Sequence, residues 1–192
     1  MYALIGMGNP GLRYAKTRHN MGFMVLDALS ALIGVRWIET DDEYVAANGR
    51  IAGQAVYLVK PLTYVNRSGL AVRHVLERLG LEVGELLVVV DDVHLPVGTM
   101  RLRMRGSDGG HKGLSSIIRE VGTSHFPRLR LGVGRPSEGD LVEYVLGTFS
   151  EEEIPDQQAM IERALQTIRI YVREGAEAAM NFCNARGGPM GP

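Results

Sequence analysis

Tyr2-Ala3-Leu4-Ile5-Gly6-Met7-Gly8-Asn9-Pro10-Gly11 is the stretch whose reading decides the fold. Tyr2 to Met7 is an apolar run of strand length. Asn9-Pro10-Gly11 is turn chemistry, because proline fixes φ and glycine relaxes it. A polar connection then leads to Thr17-Arg18-His19-Asn20, and an amphipathic run begins at Met21. Strand, loop and helix in that order open an α/β unit. The spacing gathers an amide, an imidazole and a guanidinium beyond the end of one strand, where α/β folds place their chemistry.

The same stretch contains Gly6-Met7-Gly8-Asn9-Pro10-Gly11, a literal G-x-G-x-x-G. A dinucleotide site requires a helix opening at the third glycine and an acid after the next strand. Here Leu12 to His19 is polar and basic, the helical pattern starts near Asn20, and Asp27 falls inside that helix. The context argues against a Rossmann site.

Further along, apolar runs alternate with helical patterns. Strands are expected at 2–7, 44–49, 51–59, 86–90, 97–103 and 128–134. The first helix is expected from Met21 to Ile33, capped by Asn20 and stopped by Gly34. Ser68 is the expected cap of a second helix, whose stripe is Val72, Val75, Leu76 and Leu79 and whose stop is Gly80. A third starts at 111–115 and ends near Gly122. Ser150-Glu151-Glu152-Glu153 has capping-box form before a long helix striped by Ile161, Leu165, Ile168 and Val172, which resumes after Gly175. Gly187 to Pro192 is Gly/Pro-rich and expected to be disordered. With no repeat and no linker, residues 1–186 form one expected catalytic domain. The expected fold is a single α/β domain, with a twisted mixed, largely parallel sheet sandwiched by helices.

A length of 192 residues suits one domain with a substantial core, and 45% hydrophobic with 22% charged residues is ordinary for a globular protein. A net charge of −1 excludes a general nucleic-acid coat. The distribution says more. Residues 101–135 hold eight Lys or Arg against Asp108 and Glu120, while residues 136–156 hold seven acids and no Lys or Arg. That suits a protein gripping a phosphate backbone at one place, although a plain surface fluctuation would look the same. The single Cys183 excludes an intrachain disulfide and a multi-Cys metal site, so the expected location is the cytoplasm. No apolar run reaches the ~20 residues of a membrane span. The chain starts on a core strand, so no signal peptide is expected.

Several constellations could carry chemistry. His19 titrates near neutrality. Leu86 to Val90 ends in Asp91-Asp92, and a carboxylate at a strand end can hold an imidazole in the tautomer that takes a proton from water. The two aspartates could instead meet a metal, but no acidic cluster near by completes a Mg²⁺ site. Asn66, in Pro61 to Gly69, has the donors and acceptors for a peptide amide or a water, or for its own turn. Gly106 to Leu114 is a Gly-rich loop opening a helix at His111-Lys112, which favours anions or simply serves a tight turn. Arg101, Arg103 and Arg105 alternate, as do Arg128 and Arg130. Arginines on one face of adjacent strands would clamp a phosphate, or merely solvate that face.

Together, GNPG…TRHN, KPxTYxNxSG, DD…LPxG, GGHKG and RLRxGxGRP resemble the bacterial-type peptidyl-tRNA hydrolase family in order and spacing, from Leu4 to about Gly147. The resemblance implies an esterase that frees tRNA from peptidyl-tRNA, monomeric, with no membrane partner and no metal or organic cofactor. It implies His19 as base, Asp91 as its orienting partner, and Asn9 and Asn66 positioning water and peptide. Tyr14, Tyr64, His111 and Lys112 join Asn66 as substrate contacts. Arg103 and Arg130 become the phosphate clamp. Lys112 stands where well-known members carry asparagine, and His94 where the family is often acidic. The rival reading is a non-catalytic RNA-binding protein on the same scaffold, as in plant organelle splicing factors that resemble the family.

Overall fold

The computed structural model describes residues 1–39 and 43–185. The Gly187–Pro192 tail lies outside the described residues. Among the described residues, seven strands form one sheet: β1 (Tyr2–Gly6), β2 (Ile38–Glu39), β3 (Tyr44–Ile51), β4 (Gln54–Pro61), β5 (Leu86–Asp92), β6 (Met100–Arg103) and β7 (Arg128–Gly132). Their spatial order is β2-β3-β4-β1-β5-β7-β6. The central four, β4-β1-β5-β7, pair in parallel. The edges are antiparallel, so the sheet is mixed, with its parallel part in the middle.

Six α-helices among the described residues flank it: α1 (Met21–Leu32), α2 (Ser68–Leu79), α3 (Lys112–Val121), α4 (Leu141–Leu146), α5 (Ile154–Glu174) and α6 (Ala176–Asn184). Alternation along the strands divides the core. Leu4, Leu58, Leu87, Val89 and Leu129 face α1, α5 and α6. Ala3, Ile5, Val59, Val88 and Val90 face α2 and α3. Both faces of the central strands are buried, which explains why they read as continuous apolar runs.

Local signals placed several element ends. Gly80 closes α2 and Gly122 closes α3 in left-handed conformations. Other expectations need correction. The β3–β4 hairpin turns at Ala52-Gly53, not near Arg50, and both residues have positive φ (50° and 83°). That is the twist a tight hairpin needs. The strand expected at 97–103 is Met100–Arg103, because the Thr99 N–H turns back onto the Pro96 carbonyl at 3.2 Å before it. The strand expected at 128–134 ends at Gly132. Ser68 is the first residue of α2, not its cap, and its buried hydroxyl has no hydrogen-bond partner among the described residues. Asn20 precedes α1 but gives it no side-chain cap. At Ser150–Glu153 half of the capping box forms: Glu153 accepts the Ser150 N–H at 2.8 Å. The long helix starts one residue later, at Ile154. The short α4 lies in the acidic stretch and carried no periodic signal of its own.

Candidate active site

The carboxyl ends of β1, β4 and β5 lie side by side, and the three loops that follow them converge. β1 delivers Asn9, β4 delivers Tyr64 and Asn66, and β5 ends on Asp91. α1 approaches very closely here. A Cβ on Gly22 would lie 2.3 Å from both Met7 N and Val89 O, so only glycine admits this packing. The Phe23 N–H reaches Met7 O at 3.2 Å. That contact sets the turn Arg18–Asn20, and with it His19, over the end of β5.

His19 Nδ1 lies 2.9 and 3.0 Å from the two oxygens of Asp91. His111 Nε2 lies 3.0 Å from Asp91 Oδ1. The Asp91 side chain is 2% exposed. Burial alone would raise its pKa, but the two imidazoles outweigh burial and hold it well below the usual carboxylate range. Burial alone would lower the His19 pKa. The charge and hydrogen bond of Asp91 reverse this and raise it, against opposition from Lys112.

Asn20 has a different task from the one expected. Its Oδ1 accepts the Asn9 N–H at 2.9 Å, and its Nδ2 donates to Asn9 O at 3.0 Å. This two-way clasp fixes the Asn9 loop. Asn9 Oδ1 in turn accepts the Val65 N–H at 3.0 Å, which commits the carbonyl side of its amide and leaves the NH₂ side to donate.

These groups open into a cavity of about 620 Å³ whose wall includes Asn66, Tyr64, Lys112 and Arg130. Leu141, Val142 and Leu146 of α4 supply an apolar side, 38%, 52% and 36% exposed. Tyr14 does not line the cavity; its ring lies under the Arg13 guanidinium at 4.5 Å. Arg103 is exposed on β6 outside the cavity wall. His94 sits at the rim, its ring nitrogen 3.3 Å from Gly109 O, and so bridges two loops.

The arginine ladder differs in depth. The register pairs Arg101 with Arg130 and Arg103 with Arg128, so all four share one sheet face. Arg128 is 1% exposed and holds the Gly-rich loop, donating to the carbonyls of Gly106 (2.7 Å), Ser107 (3.1 Å) and Ser124 (2.7 Å). Burial, with Arg130 beside it, lowers its pKa to about 10, so it remains charged at neutral pH. Arg130 pairs with Asp92 at 2.8 Å. Asp92 also accepts the His94 N–H at 3.0 Å. Among the described residues, His19, Asp91 and His111 bring possible ligand atoms within 4.8 Å of one another. Both imidazole contacts there are hydrogen bonds, so an ion would have to displace two protons.

The sequence placed the Arg18 guanidinium beside His19 beyond the strand end, but gave no sign of its partner. Arg18 is 7% exposed, and its guanidinium grips Glu153 through two hydrogen bonds, at 3.0 and 2.7 Å. Arg128 was likewise legible only as one member of an alternating pair.

The profile of the family described as peptidyl-tRNA hydrolase matches residues 3–189. The chain belongs to the peptidyl-tRNA hydrolase family. A peptidyl-tRNA hydrolase of Syntrophomonas wolfei is 46% identical over 184 residues, covering 96% of this chain and all of that one. One from Aquifex aeolicus is 44% identical over 182 residues, covering 94% and 95%. The crystal structure of peptidyl-tRNA hydrolase from Acinetobacter baumannii superimposes with a TM-score of 0.91 at 32% identity, over 96% of this chain and 95% of that one. A uridine phosphorylase from Vibrio fischeri, at 12% identity and a TM-score of 0.54 over 90% of this chain and 91% of its own, shares the fold alone. Asn9, His19, Asn66 and Asp91, scattered along the chain, line one cavity.

Proposed function

We propose that this protein hydrolyses the ester between a peptide's C-terminal carboxyl and the terminal ribose of tRNA, recycling tRNA from aborted translation. The observation that carries the reading is the His19–Asp91 pair at the floor of the cavity, 2.9 Å apart, in a chain of this family. With Nδ1 donating to Asp91, Nε2 keeps its lone pair and accepts a proton from water as the water attacks the ester carbonyl. Asp91 stabilises the imidazolium that forms. The Asn9 NH₂ donates to the developing oxyanion, a task that requires a donor fixed in advance. Asn66 and Tyr64 contact the peptide. A neutral amide accepts an N-acylated residue and gives nothing to a free ammonium, which favours peptidyl- over aminoacyl-tRNA.

The acceptor end of tRNA lies along Arg130 and Arg103, with Lys112 donating to the 3′ end. The enzyme acts in the cytoplasm as a monomer; among the described residues, no helix is long and apolar enough to cross a membrane. Incubation with N-acyl-aminoacyl-tRNA should release tRNA, and His19→Ala should lower turnover by about 10² to 10⁴. Binding of tRNA without any release would instead support the RNA-binding reading.

A further inference from the structure

Both ring nitrogens of His111 are engaged. Nδ1 accepts the backbone N–H groups of Gly113 at 3.1 Å and Leu114 at 3.2 Å, which makes the imidazole the N-cap of α3. A ring nitrogen that accepts two amide hydrogens carries no proton itself. The proton of the neutral ring therefore sits on Nε2, the nitrogen 3.0 Å from Asp91 Oδ1. The side chain is only 11% exposed, so water competes poorly for either nitrogen. The first turn of a helix thus dictates the tautomer of a residue in the cavity wall.

We propose that His111 is a positioning residue for hydrolysis: α3 locks it as the Nε2–H tautomer, and that N–H holds Asp91 in the orientation that selects the working tautomer of His19. The proposal rests on the reading of His19 as base. Its geometry is a chain of three side chains. Helix amides fix His111, His111 fixes one carboxylate oxygen, and the carboxylate fixes His19 Nδ1. Without the second donor, Asp91 could rotate about its last torsion and hold His19 less firmly.

The lock also bears on charge. The groups facing His19 are Asp91 from β5, His111 at the cap of α3, with ring centroids 5.0 Å apart, and Lys112 on the first residue of α3. A hydrogen bond from His111 spreads the negative charge of Asp91. Without it, more of that charge acts on His19, and the imidazolium becomes more favourable. The lock discourages metal as well. A neutral imidazole that ligates through Nε2 must carry its proton on Nδ1, and here that nitrogen meets two amide hydrogens.

Two measurements test this. Two-bond ¹H–¹⁵N correlations on ¹⁵N-histidine-labelled protein near neutral pH should show the His111 ring with Nε2–H and an unprotonated Nδ1. A proton on Nδ1 of that ring overturns the proposal, whatever the base assignment. His111→Asn keeps a good N-cap acceptor but is too short to reach Asp91. It should leave Tm near the wild-type value and lower kcat by about tenfold. The acid limb of its kcat/KM profile should move to higher pH. Unchanged kcat together with an unchanged limb in folded His111→Asn overturns the positioning role. Retained turnover in His19→Ala would instead overturn the parent reading, and the ring proton of His111 would still be read directly.

Discussion

Replacing Arg18 by methionine removes a guanidinium that ties the His19 turn to the rest of the molecule. Arg18 donates to Glu153 Oε1 at 3.0 Å and Oε2 at 2.7 Å, and to Val133 O at 3.1 Å. Its charge lies 4.4 Å from the Tyr144 ring centroid and 4.6 Å from that of Phe149. Its backbone N–H meets Gly147 O at 2.9 Å. Two charge-assisted hydrogen bonds at ~1.5–3 kcal/mol each would give ~3–6 kcal/mol. Solvent access reduces this, because the Glu153 side chain is 27% exposed and keeps the Ser150 N–H. The Val133 carbonyl keeps the Tyr144 hydroxyl at 2.9 Å. Methionine sulfur recovers part of the ring contact. The net cost is about 3 kcal/mol, a fall in Tm of about 6–12 °C for a domain of this size. Urea and thermal unfolding of Arg18→Met, Glu153→Gln and the double variant should give a coupling of at least about 1.5 kcal/mol. Because Arg18 holds the base of α4 and does not touch Asp91, KM should rise more than kcat falls. The Glu153 carboxyl is held below its usual range chiefly by the hydrogen bond from Arg18. This contribution is present above the ordinary value of 4.5 and is lost as pH falls through the folded one, so wild type and Arg18→Met should converge in acid. A stability loss under about 0.5 kcal/mol, or strict additivity with Glu153→Gln, would refute the reasoning.

Asp91→Asn should move the acid limb of kcat/KM to lower pH, since Asp91 is what raises the His19 pKa above 6.5. In stability, the Asp91 contribution appears above 3.8 and the His19 contribution fades as pH rises through its raised value, so the deficit of Asp91→Asn should be largest between those limits. Arg130→Ala and Arg103→Ala should each raise KM for tRNA substrates and flatten the salt dependence of binding; an unchanged salt slope in both means that the basic face serves something else. Lys112→Asn should retain most activity, and Lys112→Ala should lose several-fold to tens-fold in kcat/KM, as expected for one exposed charge-assisted hydrogen bond; wild-type kinetics in the alanine variant would reduce Lys112 to a surface residue.

The amino-acid sequence by itself determined the opening strand, read as 2–7 and found as Tyr2–Gly6, the helices that stop before Gly34 and Gly80, and the placement of Asn9, His19, Asn66 and Asp91 beyond strand ends. Those features depend on nearest-neighbour propensity, on periodicity and on the rule that parallel strands present their loops at one end, all of which act over a few residues. Partner choice does not. Asn20 has the same helix-capping propensity whether or not Asn9, eleven positions away, lies within reach, and only the close approach of α1 at Gly22 brings the two amides together. Alternation put Arg103, Arg128 and Arg130 on one face, but the depth of each depends on what covers it. The Gly-rich loop and the Ser124 carbonyl bury Arg128, while the sheet edge leaves Arg103 in solvent. Arg18 is legible as a guanidinium beside His19, but its tie to Glu153, 135 residues later, is not. The first turn of α3 fixes the His111 ring locally, but the meeting of that ring with Asp91, 20 residues away in sequence, is a tertiary placement that no local pattern encodes.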